Sequence, residues 1–319
     1  IHRLRATGMS WFRMPLFVWS LYATGWVQLL ATPVLGITLV MLMLERMFGV
    51  GFFDPAKGGD PILFEHLFWI YSHPAVYIMI LPAMGVVSEI IPVFTRRTIF
   101  GYRAIAFSSL AIALVGYVVW GHHMFTSGMS DTARVIFSLL TFLVAVPSGI
   151  KIFNWVASMY KGSIQVDAPL LYVMAFIFLF SIGGFTGLIQ GALATNIHVH
   201  GTYFIVAHFH YVMFGGTVFA FFAALHYWLP KMSGRLYSEA RARLAWFFLF
   251  IGFNILYFPM FVLGWDGLPR RYYDYLPKFQ PMNSLSTVGS WILATGVILM
   301  LYNLASSARS GKPAGRNPW

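Results

Sequence analysis

The chain has 319 residues, of which 59% are hydrophobic and only 10% charged. A soluble domain carries about 25% charged residues and a disordered one needs low hydrophobicity with high charge, so the first is disfavoured and the second excluded. The absence of cysteine removes disulfides, iron–sulfur clusters, thiolate zinc sites, thiol nucleophiles and covalently attached c-type haem.

A run of about 20 apolar residues is long enough to cross a bilayer. Eight such runs follow in order, near 15–44, 62–93, 102–126, 133–159, 169–190, 199–229, 241–263 and 284–306. They predict an all-α, polytopic membrane helical bundle, read as one transmembrane domain over 1–319. Turn chemistry marks the joints at Asp54–Asp60, Lys161-Gly162, Lys231–Gly234 and Gly267–Pro269. Residues 307–319 read as a flexible, basic tail.

Lys+Arg outnumber Asp+Glu by 21 to 10. In so apolar a chain, basic cytoplasmic loops explain this better than a nucleic-acid partner, and none is expected. Arg3, Arg5, Arg13, Arg96, Arg97, Arg103, Lys161, Lys231, Arg235, Arg241, Arg243, Arg309, Lys312 and Arg316 fall on one side. Only Arg46, Lys57, Arg134, Arg270, Arg271 and Lys278 fall on the other. The positive-inside rule then puts both termini in the cytoplasm. The chain begins at Ile1, and Ile1–Arg13 has no short apolar core followed by a cleavage site. It is read as the later part of a longer protein, or as one of two pieces.

Ionisable groups inside apolar spans are costly and usually functional. In His208-Phe209-His210 the two imidazoles lie roughly 200° apart around a helix, so they suit two different metals better than one. The bland alternative is a pair of hydrogen-bonded structural histidines. The adjacent His122 and His123 reach one metal together only where a helix ends or loosens, which Gly121 and Gly128 permit. His73 is the candidate third ligand, and three imidazoles suit copper, zinc or iron. A water-facing helix-end pair is the competing reading.

Tyr77 shares a helix face with His73 at i+4, where a phenol can supply a proton and an electron; an interfacial tyrosine is the alternative. Lys151, with Ser148 one turn earlier, either snorkels to the surface or lines a proton path. Arg270 and Arg271 are either solvated loop charges or clamps for carboxylates.

These residues closely resemble subunit I of the haem–copper oxygen reductases, from that family's fifth transmembrane helix to its twelfth. The resemblance covers essentially the whole chain. It is carried by Gly59-Asp60-Pro61 with His66–Trp69, His73-Pro74 with Val76-Tyr77, and His122–Phe125. Further matches are Gly149–Lys151, Ala207–Tyr211, Pro269–Arg271, and Phe279–Pro281 with Asn283.

The resemblance implies that His73, His122 and His123 hold copper and that Tyr77 is cross-linked to His73. It implies His208 as axial ligand of a high-spin haem facing that copper, and His210 as one axial ligand of a low-spin haem. Arg270 and Arg271 would meet haem propionates. Lys151 and Ser148 would belong to a proton path leading to Tyr77.

This sequence departs from the family pattern in several places. The first four helices are not among these residues, so the second axial ligand of the low-spin haem lies outside this chain. The usual glutamate after the copper histidine is Ala75, and Tyr71-Ser72 resembles the subclass in which a tyrosine–serine pair takes the proton-loading position. His200-Gly201 replaces the usual His-Asp pair of an external metal site, which puts magnesium there in doubt.

The implied function is that of the catalytic subunit of a terminal oxidase, reducing dioxygen to water with proton translocation. It would sit in the inner or plasma membrane of a prokaryote among lipid. Its partners would be a two-copper subunit II, a subunit III and the N-terminal helices, with cytochrome c or quinol as electron donor; the tyrosine–serine pair favours cytochrome c. Rival readings are a nitric-oxide reductase relative, which should lack the His73–Tyr77 pair, a secondary transporter, and a non-catalytic scaffold.

Overall fold

A computed structural model describes residues 1–319. Eleven α-helices dominate it. They are α1 (Leu16–Phe48), α2 (Pro61–Thr95), α3 (Tyr102–Tyr117), α4 (Asp131–Leu143), α5 (Ala145–Met159), α6 (Ala168–Gly191), α7 (Leu193–Val199), α8 (Tyr203–Val212), α9 (Phe219–Ser233), α10 (Glu239–Trp265) and α11 (Gln280–Ser310). Joined where they continue one another, they make 8 segments long and apolar enough to span a membrane. These match the eight runs of the sequence, with ends displaced by a few residues.

The run near 133–159 is two helices, with the junction at Val144. Pro147 explains the break, because its ring displaces the carbonyl four residues earlier, that of Leu143. The last long run before α10 is α8 continued into α9 through a π-helical turn, Met213–Val218.

The contacts divide the expected single domain into two compact units. The first comprises Ile1–Gly85, Gly101–Phe153 and Gly191–Ile197. Here α1 packs on α3, and Trp19 Nε1 donates to the Tyr102 hydroxyl, which donates to the Met14 carbonyl. A buried cluster of Met124, Phe125 and Met129 is flanked by Ile62, Trp69, Trp120, Phe137 and Leu193. At the end of α1, the Glu45 carboxylate accepts from the backbone N–H groups of Phe52, Phe53 and Asp54 at 2.6–3.1 Å. That closes the loop into α2.

The second unit comprises Val86–Phe100, Asn154–Gln190 and His198–Trp319. Here α10 packs along α11. Small residues let the two backbones approach, since a Cβ at Gly289 would stand 2.7 Å from the Ile255 carbonyl carbon. Residues 307–319, expected as a flexible tail, carry the last turn of α11 and a two-residue pairing of Lys312–Pro313 with Arg235–Leu236. Trp319 Nε1 donates to the Tyr227 carbonyl at 2.8 Å.

Candidate metal centre

After α3 the chain tightens into a 3-10 turn, Trp120–Met124, as the adjacent His122 and His123 require. Gly121 is needed there: a Cβ would run into the Phe137 ring. The turn and α2 bring His73, His122 and His123 together, with one ring nitrogen from each lying within 4.8 Å of the others. His73 Nδ1 is 3.0 Å from His123 Nε2. This is the only group of three or more His, Cys, Asp or Glu side chains so arranged.

Each of the three rings has neighbours that set its orientation. Thr141 on α4 donates its hydroxyl proton to the Phe137 carbonyl at 2.6 Å, so its oxygen is left to accept from His122 Nδ1–H at 2.9 Å. That fixes the tautomer with a bare Nε2, the form that ligates a metal. His123 lies flat on Trp69, with ring centroids 3.7 Å apart and planes 1° from parallel. His73 Nε2 is buried and has no hydrogen-bond partner. The Tyr77 ring packs edge-on to His73 at 4.6 Å. An all-imidazole set with an unsatisfied buried nitrogen fits a borderline metal such as copper. Tyr71 and Ser72 lie half-buried on α2 just before His73.

Lys151 is 0% exposed. It does not snorkel to the surface. Its Nζ donates to the Ser109 hydroxyl at 2.7 Å and to the Ile105 carbonyl at 3.2 Å, both on α3. Ser148 sits half-buried one turn earlier on α5.

In the second unit, α8 presents His208 and His210 in opposite directions. His208 Nδ1 lies 3.1 Å from Thr186 Oγ1 on α6. The Thr186 hydroxyl proton is directed to the Ile182 and Gly183 carbonyls, so here too the imidazole N–H donates and Nε2 is bare. His210 Nδ1 donates to the Val206 carbonyl at 2.8 Å, and its ring stacks on Tyr257 of α10 at 4.1 Å. The His208 ring lies against Gly187 of α6, where a Cβ would stand 3.2 Å from it. A cavity of about 330 Å³ is lined by Tyr203, Val206, Phe209, Met260, Arg270 and Arg271. Two imidazoles on α8, with two guanidinium groups on the wall of a cavity that Val206 and Phe209 of the same helix also line, fit a flat macrocycle bearing carboxylates.

The arginine loop is pinned to the start of α8. Tyr203 N–H donates to the Leu268 carbonyl and Arg270 N–H to the Gly201 carbonyl, each at 2.9 Å. Arg271 is held at φ 71°, a left-handed conformation that costs a non-glycine residue about 1 kcal/mol or more. Burial, and then the Arg271 charge, lower the pKa of Arg270. Burial, and then Arg270, likewise lower that of His200. No third acid or imidazole joins His200 in a metal-binding group.

Thr141, Thr186, Trp69 and Ser109 were not among the candidates drawn from sequence. Helical hydroxyls bonded to the carbonyl four residues back are ordinary, and only the fold shows which also meet an imidazole or an amine.

Fold and site together define a polytopic, all-α membrane bundle with a cluster of imidazoles suited to a metal. Residues 1–292 match the family model described as cytochrome c and quinol oxidase polypeptide I, and the chain belongs to that family. It is 49% identical over 319 residues to cytochrome c oxidase subunit 1 of Synechocystis sp., covering 100% of this chain and 58% of the relative. The subunit 1 of Thermostichus vulcanus is 46% identical, again over 100% and 58%. That of Bacillus subtilis is 43% identical over 100% of this chain and 52% of the relative. A heme-copper terminal oxidase, solved as a dimer, superposes with a TM-score of 0.83 at 25% identity, covering 96% of this chain and 58% of that one. The chain thus spans somewhat over half the length of these relatives. Membership implies haem and copper as cofactors.

Proposed function

We propose that the chain forms the catalytic core of a terminal respiratory oxidase that reduces dioxygen to water and translocates protons across a prokaryotic plasma membrane. The observation that carries this is the His73–His122–His123 cluster, His73 buried and the other two half-buried, with Tyr77 packed against His73. The oxidase names of the relatives favour cytochrome c as electron donor.

His73, His122 and His123 would hold copper, His208 would hold the high-spin haem, and His210 would serve as a ligand of the low-spin haem. Arg270 and Arg271 meet the propionates. When bound, these groups supply the electron transfer that reduces dioxygen. The chain's own residues position and feed them. Thr141 and Thr186 fix two imidazole tautomers, and Trp69 walls the copper pocket against water on one side. Tyr77, edge-on to the His73 ring, offers a proton and an electron from its phenol.

Lys151 and Ser148 carry protons towards Tyr77 from the cytoplasmic side, where both termini lie, and Tyr71 and Ser72 hold the protons to be pumped. No cysteine is present to build a two-copper entry centre, so electrons arrive through a partner such as subunit II; subunit III and lipid complete the surroundings. His200 would be this chain's residue at an external metal site, where Gly201 in place of the usual aspartate disfavours magnesium.

The test is the purified complex containing this chain. It should show two haems and one copper held by this subunit, cytochrome c oxidation coupled to oxygen uptake, and loss of that uptake in Lys151→Met. A complex without copper, or one with unchanged turnover in that variant, contradicts the corresponding part of the reading.

A further inference from the structure

Four buried residues make one stripe along α3: Ile105, Ser109, Ile112 and Gly116. Their spacing of four, three and four puts them on a single helix face. At one end of the stripe lies the Lys151 amine. Its Nζ donates to Ser109 Oγ at 2.7 Å and to the Ile105 carbonyl at 3.2 Å. Ser109 Oγ itself donates to that same carbonyl at 3.2 Å, so its lone pairs face the amine. The three atoms form a closed set, and each contact is buried. At the other end lies Tyr77, so close that a Cβ at Gly116 would stand 2.6 Å from its ring. Ser109 and Gly116 are seven residues apart, about two turns or roughly 10 Å along the helix. Between them Ile112 is 1% exposed and offers no hydrogen bond from its side chain.

A lysine carried on four methylenes has many rotamers, and burial alone does not choose among them. On this face the only side-chain oxygen that meets the amine is that of Ser109. We propose that Ser109 is a positioning residue, docking the Lys151 amine on the buried face of α3 two turns from the place where that face meets Tyr77. Ser109 thereby sets where each proton waits before it crosses the apolar step at Ile112. The proposal rests on the reading of Lys151 as a proton carrier.

Two measurements on the assembled complex test it. First, Ser109→Ala should slow oxygen reduction about 3- to 10-fold, the size of one lost hydrogen bond at the rate-controlling position. The haem spectra and copper content should stay as in the parent. Ser109→Thr, which keeps the hydroxyl, should restore most of the rate. Second, Ser109→Ala should lower the apparent melting temperature by about 2–4 °C when Lys151 is present. In a Lys151→Met background the same substitution should cost less than half as much, because the partner is already gone. Equal shifts in both backgrounds, or unchanged or faster turnover in Ser109→Ala, overturn the dock. If Lys151→Met itself leaves turnover intact, the proton-path reading fails, whereas the melting comparison still reports on the Ser109–Lys151 contact.

Discussion

The Thr141 hydroxyl oxygen accepts from His122 Nδ1 while its proton is given to the Phe137 carbonyl. One side chain of α4 therefore decides which nitrogen of the His122 ring carries the proton. Thr141→Val keeps the shape and removes the acceptor. Copper affinity should fall about 10- to 100-fold, measured as copper retained against increasing chelator. Thr141→Ser should bind nearly as the parent does. Equal retention in the valine variant would show that the ring is oriented without this bond.

Gly116 is the second lever on the same pocket. Its missing Cβ is filled by the Tyr77 ring. Gly116→Ala overpacks that contact, which typically costs about 1–3 kcal/mol, and it pushes the phenol off its place beside His73. The expected result is a lower melting temperature together with reduced oxygen uptake at normal haem content. A fully active alanine variant would mean that the Tyr77 position tolerates displacement.

The pH response of His200 has a definite sign. Burial and the Arg270 charge hold its folded pKa below the usual 6.5. Above pH 6.5 both folded and unfolded chains carry it neutral, and it contributes nothing to pH dependence. As the pH falls through 6.5, the unfolded chain takes a proton that the folded chain resists, so folding is penalised. His200→Gln should therefore lose less thermal stability than the parent between pH 7.5 and 5.5. Parallel melting curves for the two proteins across that range would rule this contribution out.

Glu45 holds the loop that leads into α2 by three backbone N–H donors. Glu45→Ala leaves all three without that acceptor. Limited proteolysis should then cut between Gly49 and Pro61 several times faster, with the spans on either side intact. A cleavage rate matching the parent would show that the loop is ordered without this acceptor.

The spans were readable in the sequence because a bilayer forces long apolar runs, and the five metal-ligand candidates stood out because imidazoles inside such runs are expensive. Even the loosened helix at His122 followed from adjacent ligands and a glycine. What was not readable was the support. Thr141 is separated from His122 by 19 residues and Thr186 from His208 by 22, and neither spacing is periodic. Lys151 paired in expectation with Ser148, its neighbour on the same helix. In the fold its amine meets Ser109, 42 residues away, because side-chain reach across a helix interface is set by packing and not by spacing. The break at Val144 was missed although Pro147 announces it, because hydropathy runs unbroken through both halves.

The π-helical turn at Met213–Val218 gives the segment from Tyr203 to Ser233 two phases. A π turn holds one residue more than the α-helix would allow in the same length. The face on which His208 and His210 stand is therefore set independently of the face that buries Phe219, Ala223 and Tyr227. Deleting one residue there would leave an unbroken helix of nearly the same length and composition. It would also rotate both imidazoles by about 100° relative to everything that anchors the far half. A single codon thus separates a rod with both imidazoles in register from an apolar span that looks the same to any measure of hydropathy.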